Sequence, residues 1–283
     1  MTVECLNALS QSALLFFLGV GLTLIFGIMR IVNFAHGSFY MLGAFVGYSL
    51  ARLAGSFWLA LVLAPLSVGI LGALFELGVL RFLYRRDATA FLMVTFGLAL
   101  AIGEVARLVW GSQPLEVTTP KALSGVIFLF GLPFPLYRLF LTGAGAAVAI
   151  LLWQFLERTR LGLLIRATSQ NAEMMHALGT DVRLVRSFVF GIGCALAGLG
   201  GVLAAPLVTA SLGMAVNVII DAFVIVIIGG MGSFAGSILG ALLVAFVQIF
   251  GEYYFPDFAM ALMYLVMLLV LVLRPGGLLG KEA

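Results

Sequence analysis

The chain has 283 residues, 63% of them hydrophobic and only 10% charged, against about 25% charged residues in soluble domains. With a mean hydropathy of +1.22 and repeated long apolar runs, this deficit excludes an ordinary soluble fold and points to an all-α, polytopic integral membrane helical bundle. The net charge of +3 is then a topology signal rather than a nucleic-acid surface, and the alternating ten-residue strands of an outer-membrane barrel are absent.

Nine apolar segments follow one another, near Ala8–Ile28, Phe34–Leu53, Phe57–Leu80, Ala88–Val109, Phe134–Phe155, Ser187–Leu207, Ala215–Ile228, Phe234–Phe250 and Phe258–Leu273. A span needs about 20 apolar residues. The first run has no basic start and no small-residue cleavage site, so it reads as a retained span, not a signal peptide. The seventh, ending at Gly229-Gly230, is short and reads as a half-helix or re-entrant element, which makes the count eight or nine.

Met29–Ser38 packs Arg30, Asn33, His36, Gly37 and Ser38 between two spans with no real loop. Backbone broken at membrane depth is tolerated where it lines a cavity or meets protein. Two readings stand there: Asn33 or Ser38 caps the second helix, or Asn33, His36 and Ser38 meet a substrate or gate. Glu76 has Arg81 and Tyr84 within snorkelling or pairing reach. Glu104 and Arg107, three apart, share a helix face near the far end of the fourth segment.

Asn217 and Asp221 lie four apart near the start of the seventh segment. They face a vestibule, or Asp221 complements a helix N-terminus. The turn holding Gly230 and Ser233 is open to the same choice between capping and pathway. Gly43 and Gly47, and Gly232, Gly236 and Gly240, have the four-residue spacing of close helix contacts. Packing within one subunit is the plainer reading, a subunit interface the alternative. Phe34–Ser38 and Phe234–Ser237 echo one another weakly, each at the start of a helix on the same side of the membrane.

Orientation follows from Lys and Arg. One side would hold Arg30, Arg81, Arg85, Arg86, Arg158, Arg160, Arg166, Arg183, Arg186, Arg274 and Lys281, and the other Arg52, Arg107, Lys121 and Arg138, an eleven-to-four split. The N-terminus is therefore expected outside and the C-terminus in the cytoplasm, with the Trp110–Pro133 loop external.

Glu157–Arg186 is the one long polar interruption and carries eight of the 27 charged residues (15 basic plus 12 acidic). Asn171-Ala172-Glu173 begins a helical pattern, with Met174, Met175, Ala177 and Leu178 as its apolar face, and Gly179 stops it. Asp181 starts the next helix, which runs into the sixth span. The short surface helix suits docking into a partner's groove; an interfacial helix held by lipid is the alternative.

Several chemistries are missing. No G-x-x-x-x-G-K-[ST] phosphate loop, H-E-x-x-H, C-x-x-C or G-x-S-x-G occurs. His36 and His176 fall in different compartments, and Cys5 and Cys194 offer neither a disulfide framework nor metal spacing. No catalytic or metal residue is assigned, and an enzyme is the minor reading.

Gly21–Tyr48, GLTLIFGIMRIVNFAHGSFYMLGAFVGY, closely resembles the branched-chain amino acid permeases of ABC importers, the LivH type. Met93–Leu98, Arg166–Asn171, Gly191–Leu203, Gly230–Ser233 and Arg274–Leu278 also match, so the resemblance covers essentially the whole chain as a single permease domain, residues 1–283. It implies a transport subunit of the bacterial inner (plasma) membrane, paired with a second related permease. Two cytoplasmic ATPase subunits would use ATP and Mg, this chain binding no cofactor itself, and an extracytoplasmic amino-acid-binding protein would deliver the substrate. Residues 157–186 would be the coupling region, with Arg166, Asn171, Glu173, Met174, His176, Gly179 and Asp181 as its candidates; a literal E-A-A is replaced by Asn171-Ala172-Glu173. Candidates for the substrate pathway are Asn33, His36, Ser38, Asn217, Asp221, Gly230 and Ser233. A sister permease for urea or short amides, and an ion-coupled transporter or channel, are the competing functions.

Overall fold

Each of the nine apolar segments is a helix in the computed structural model, which describes residues 1–84, 86–129 and 131–280. Arg85 and Lys281, counted in the charge balance, lie outside them. The described residues form α1 (Thr2–Met29), α2 (His36–Ala54), α3 (Phe57–Gly78), α4 (Ala88–Trp110), α5 (Leu136–Arg158), α6 (Arg160–Gln170), α7 (Ala172–Ala177), α8 (Val182–Val208), α9 (Met214–Gly229), α10 (Phe234–Tyr254) and α11 (Ala259–Leu273). A small hairpin, β1 (Val126–Leu129) and β2 (Leu132–Pro135), decorates the long loop after α4. Neither the hairpin nor α6 stands out in the sequence, because each is short and its periodicity is brief.

Seven helices are long and apolar enough to cross a membrane: α1, α3 (counted to Phe82), α4, α5, α8, α10 and α11 (counted with the turn before it, Pro256–Leu273). The other two apolar helices are α2, at 19 residues, and α9, at 16. Burial sorts the seven. The apolar stretches of α1 and α8 are 83% and 78% buried, those of α4 and α11 only 11%. Two helices thus form the spine, and the weakly packed ones present apolar flanks.

Lipid removes the hydrophobic drive between helices, so close contact must come from small residues. The spine is built this way. A Cβ on Gly21 would fall 2.6 Å from the Gly193 carbonyl oxygen, and one on Gly43 would fall 2.3 Å from that of Gly198. Gly47 faces Val202 of α8; Gly236 and Gly240 face Gly229 and Ile225 of α9. These glycines are filled by neighbouring helices of the same chain.

Helix direction alternates, so the ends of α1, α3, α5, α9 and α11 share one side with the starts of α4, α8 and α10. That side, the Arg-rich end, holds Arg30, Arg81, Arg86, Arg158, Arg160, Arg166, Arg183, Arg186 and Arg274. At the opposite end the Trp110 indole donates to Ser49 Oγ at 2.6 Å, and Leu115 bridges Ala210. A cavity of about 620 Å³ opens there, lined by Tyr48, Arg52, Trp58, Glu116 and Lys121 among others.

Candidate functional site: a helix break and a coupling surface

The chain leaves α1 at Arg30, whose left-handed backbone (φ 52°) ends the helix. It does not emerge from the bundle there. His36, the first residue of α2, places its Nε2 3.0 Å from the Leu18 carbonyl oxygen of α1. Leu18 is eleven residues before the end of α1, about 16 Å at the usual rise. Residues 30–35 therefore run back into the bundle in non-helical form, and α2 starts inside it. The echo with Phe234–Ser237 is accordingly uneven. Gly232, just before α10, packs on Gly27 near the end of α1, whereas α2 begins much deeper.

α9 makes the complementary break. The segment before it is held at the opposite end by the Ala210–Leu115 bridge, yet a Cβ on Gly37 would fall 2.2 Å from the Ala215 carbonyl oxygen. The first turns of α2 and α9 thus lie side by side. α2 and α9, the two apolar helices that are not membrane-span candidates, both begin at this meeting point.

Asn33 and His36 are both fully buried. Asn33 Oδ1 accepts the Ala35 N–H at 3.1 Å, closing a turn ahead of α2, while its Nδ2 has no protein partner. Since a carbonyl oxygen only accepts, His36 Nε2 carries the proton, and in the neutral ring Nδ1 is a buried acceptor with no protein partner. An unmatched buried polar group costs about 1–3 kcal/mol. Two adjoin the break, one a donor and one an acceptor.

Ser38 does not cap α2; its hydroxyl donates to the Ala99 carbonyl of α4 at 3.3 Å. Capping by Asn33 or Ser38 in the strict sense is therefore replaced by an Asn33 turn and a Ser38 cross-helix tie. Phe34, which the sequence marks only as the start of the echo and not as a pathway candidate, is exposed at the break. Its ring lies edge-on to Phe223 of α9 (5.3 Å) and Phe96 of α4 (6.5 Å). Three aromatic rings thus border the seam between α4 and α9.

Asn217 is exposed on α9, close to this seam in sequence. Asp221 sits on the next turn and accepts from Gln248 Nε2 of α10 at 3.2 Å. It lies beyond the first turn, so of the two readings for Asp221 the one that has it complement the helix N-terminus does not hold. Gly230 and Ser233 are elsewhere. Gly230 (φ 103°) is covered by the C-terminal segment, since Leu278 N–H donates to Ile228 and Leu279 N–H to Gly229. Ser233 Oγ accepts the Gly236 N–H at 3.1 Å and caps α10. The pair marks the Arg-rich end of the bundle, apart from the break.

At that end, α6 and α7 lie between α5 and α8. Thr159 caps α6, accepting the Gly162 N–H at 3.0 Å, and Asn171 caps α7, accepting the Met174 N–H at 2.9 Å. Gly179 (φ 83°) stops the chain after α7, and Asp181 Oδ1 accepts the Arg183 N–H at 3.0 Å to start α8. The stop and restart read from the sequence are both present. Arg166 of α6 pairs with Glu157 at the end of α5. A cleft of about 490 Å³, lined by Leu161, Leu164 and Ile165 of α6 and Leu184, Val185 and Phe188 of α8, separates the two helices.

The outer face of α7 is unpaired. Glu173 and His176 are exposed, and so are Met174 (56%) and Leu178 (72%). Of the coupling candidates, Asn171, Gly179 and Asp181 shape the helices, Arg166 ties α6 to α5, and Glu173, Met174 and His176 are free to meet a partner. No group of three or more metal-ligating side chains occurs among the described residues.

A family model described as "Branched-chain amino acid transport system / permease component" matches residues 5–271. The chain is 27% identical to the high-affinity branched-chain amino acid transport system permease protein BraD of Pseudomonas aeruginosa, over 98% of this chain and 95% of that one. It is 22% identical to LivH of Escherichia coli strain K12, again over 98% and 95%. LivM of the same organism, a permease protein of the same named system, is 28% identical over 93% of this chain and 67% of LivM.

Proposed function

This chain belongs to the branched-chain amino acid transport system permease component family, and we propose that it forms, with a second related permease, the membrane pathway of an ABC importer for branched-chain amino acids. It is a transport subunit rather than an enzyme. Similarity to both LivH and LivM supports the second permease. Uphill import needs an energy source, and the sequence contains no phosphate loop. Two cytoplasmic ATPase subunits using ATP and Mg supply it in this reading.

The accumulation of arginines at one end supports a cytoplasmic placement of that end, with the N-terminus outside, in a bacterial inner membrane. Residues 157–186 then face the ATPases, and α7 with its exposed Met174 and Leu178 is the docking element. The opposite end, with its cavity at Arg52 and Lys121, faces the amino-acid-binding protein.

The observation that carries the pathway assignment is the meeting of α2 and α9 inside the bundle. Helix N-termini carry partial positive charge and favour a carboxylate. Asn33 Nδ2 adds a donor for that carboxylate, and His36 Nδ1 an acceptor for the ammonium group. Phe34, Phe96 and Phe223 offer apolar surface to a branched side chain. Because Asn33 and His36 are buried here, this conformation is closed, and the break must open for substrate to pass. Asn217 and Asp221 line the approach from outside; Gly230 and Ser233 belong to the inner exit.

The test is leucine uptake into proteoliposomes holding the permease pair and its ATPases. Uptake should require ATP and the binding protein and survive collapse of the ion gradients. Uptake that ignores ATP and follows an ion gradient would refute the proposal.

A further inference from the structure

Glu76 sits in α3 with no exposure at all. An ionised carboxylate in an apolar span is costly unless donors surround it. It has two, from different parts of the fold. The Tyr84 hydroxyl, from the turn between α3 and α4, donates to Oε1, and the Ser187 hydroxyl, from the second turn of α8, donates to Oε2. Of the snorkelling or pairing expected for Glu76, the pairing with Tyr84 occurs, whereas Arg81 lays its guanidinium over the Phe82 ring at 4.7 Å.

Tyr84 is the centre of this cluster. Its ring lies 4.6 Å beneath the Arg186 guanidinium of α8 and 5.7 Å from Phe91 in the first turn of α4. Its hydroxyl is 3.8 Å from the sulfur of Met29, the last residue of α1. Burial first, and the bond to Glu76 second, raise its pKa above the ordinary tyrosine range, so it remains a donor. One phenol therefore touches the ends of α1, α3, α4 and α8.

The neighbours beyond those ends give the cluster its meaning. Ser187 and Arg186 lie five and four residues after Val182, where α8 starts directly behind α7 and Gly179. Met29 immediately precedes Arg30 and the non-helical run to Asn33, Phe34 and His36. Resting on the transport reading above, we infer that Glu76, Tyr84 and Ser187 form the joint through which displacement of the α8 start reaches the α1–α2 break. Glu76 and Tyr84 are positioning residues for transport and touch no substrate. A buried polar cluster is a poor device for stability, since apolar residues of similar volume often serve as well or better. Its directional bonds do something packing cannot: they keep α8 and α3 in register with the end of α1 while the whole moves.

The experiment compares the assembled transporter with Tyr84→Phe, Glu76→Gln and Ser187→Ala versions in proteoliposomes, reading ATP hydrolysis and leucine uptake together. Tyr84→Phe keeps the ring contacts with Arg186 and Phe91, so it carries the test if Glu76→Gln does not assemble. We expect hydrolysis and subunit co-purification to persist while leucine moved per ATP falls about fivefold or more, within the usual range of coupling between sites. The double variant Tyr84→Phe/Ser187→Ala should do little more damage than the worse single one, because both bonds serve one carboxylate. An unchanged ratio in Tyr84→Phe, or hydrolysis and uptake falling in equal proportion, overturns the joint. Absence of ATP-driven uptake in the unmodified complex overturns the transport reading, and the joint with it.

Discussion

His36 reaches from the first residue of α2 to the Leu18 carbonyl oxygen in the middle of α1, a hydrogen bond of 3.0 Å. This contact holds the start of α2 inside the bundle and fixes which ring nitrogen carries the proton. In His36→Leu the volume is roughly kept and the bond is lost. A buried hydrogen bond contributes about 0.5–1.5 kcal/mol net, so thermal unfolding of the purified complex should shift only modestly. Leucine uptake should fall at least about tenfold, because the acceptor offered to the ammonium group disappears, equivalent to about 1.4 kcal/mol of lost interaction. Uptake within twofold of the parent protein would remove His36 from the pathway.

Gly43 and Gly97 make a controlled pair. A Cβ on Gly43 would meet the Gly198 backbone at 2.3–2.7 Å, whereas one on Gly97 of α4 would meet nothing within 4 Å. Gly43→Ala should force α2 from α8 and destabilise the protein by about 1–3 kcal/mol, the usual cost of overpacking. Gly97→Ala should be neutral or slightly stabilising, because alanine favours the helix by up to about 1 kcal/mol. Thermal or denaturant unfolding in detergent checks both, and equal effects would contradict the described α2–α8 contact.

Local chemistry explains which parts of this molecule are readable in advance. The break at Met29–Ser38 has no room for a loop and carries polar residues in an apolar setting, so it stands out. Asn171, Gly179 and Asp181 announce the ends of helices because caps act over three or four residues. The meeting of Gly37 with Ala215 is different. It joins distant segments, and each is unremarkable alone. Glu76 shows the same limit: Tyr84 is a neighbour in sequence, but Ser187 is 111 residues away. Sequence reasoning therefore finds the break and the short surface helix, yet misses the distant contacts that complete the break and the Glu76 site. It also groups Gly230 and Ser233 with Asn33 because all three are polar or small, while the fold places them at different depths.

The exposed face of α7 gives a prediction separable from folding. Met174 and Leu178 touch little else in this chain, so Met174→Glu and Leu178→Glu should leave its unfolding temperature nearly unchanged. Surface substitutions usually stay within about 0.5 kcal/mol. Both variants should lose co-purification with the ATPase subunits, together with ATP-driven uptake. Gly179→Leu should act more broadly, because its φ of 83° costs a side chain about 1–2 kcal/mol and shifts α7 relative to α8. If either glutamate variant binds the ATPases normally, α7 is not their docking element.

Phe34 offers the sharpest test of the seam between α4 and α9. Its edge-on contacts with Phe223 and Phe96 are each worth about 0.5–1.5 kcal/mol beyond area burial. Phe34→Ala should therefore cost about 1–3 kcal/mol from the two ring contacts together, with little added from burial, since the residue is exposed. Its effect on transport should depend on the side chain being moved. Leucine, isoleucine and valine rest their branched carbons against the aromatic rings in the proposed pathway, whereas alanine has only one methyl to place there. Each buried methylene contributes about 0.8 kcal/mol, so losing the Phe34 surface should lower leucine uptake about three- to tenfold more than alanine uptake. Competition between labelled leucine and unlabelled alanine, with binding protein in excess, measures that ratio. An equal fall for both substrates would mean that Phe34 only shapes the break, and that the apolar part of the substrate passes along another face of α2.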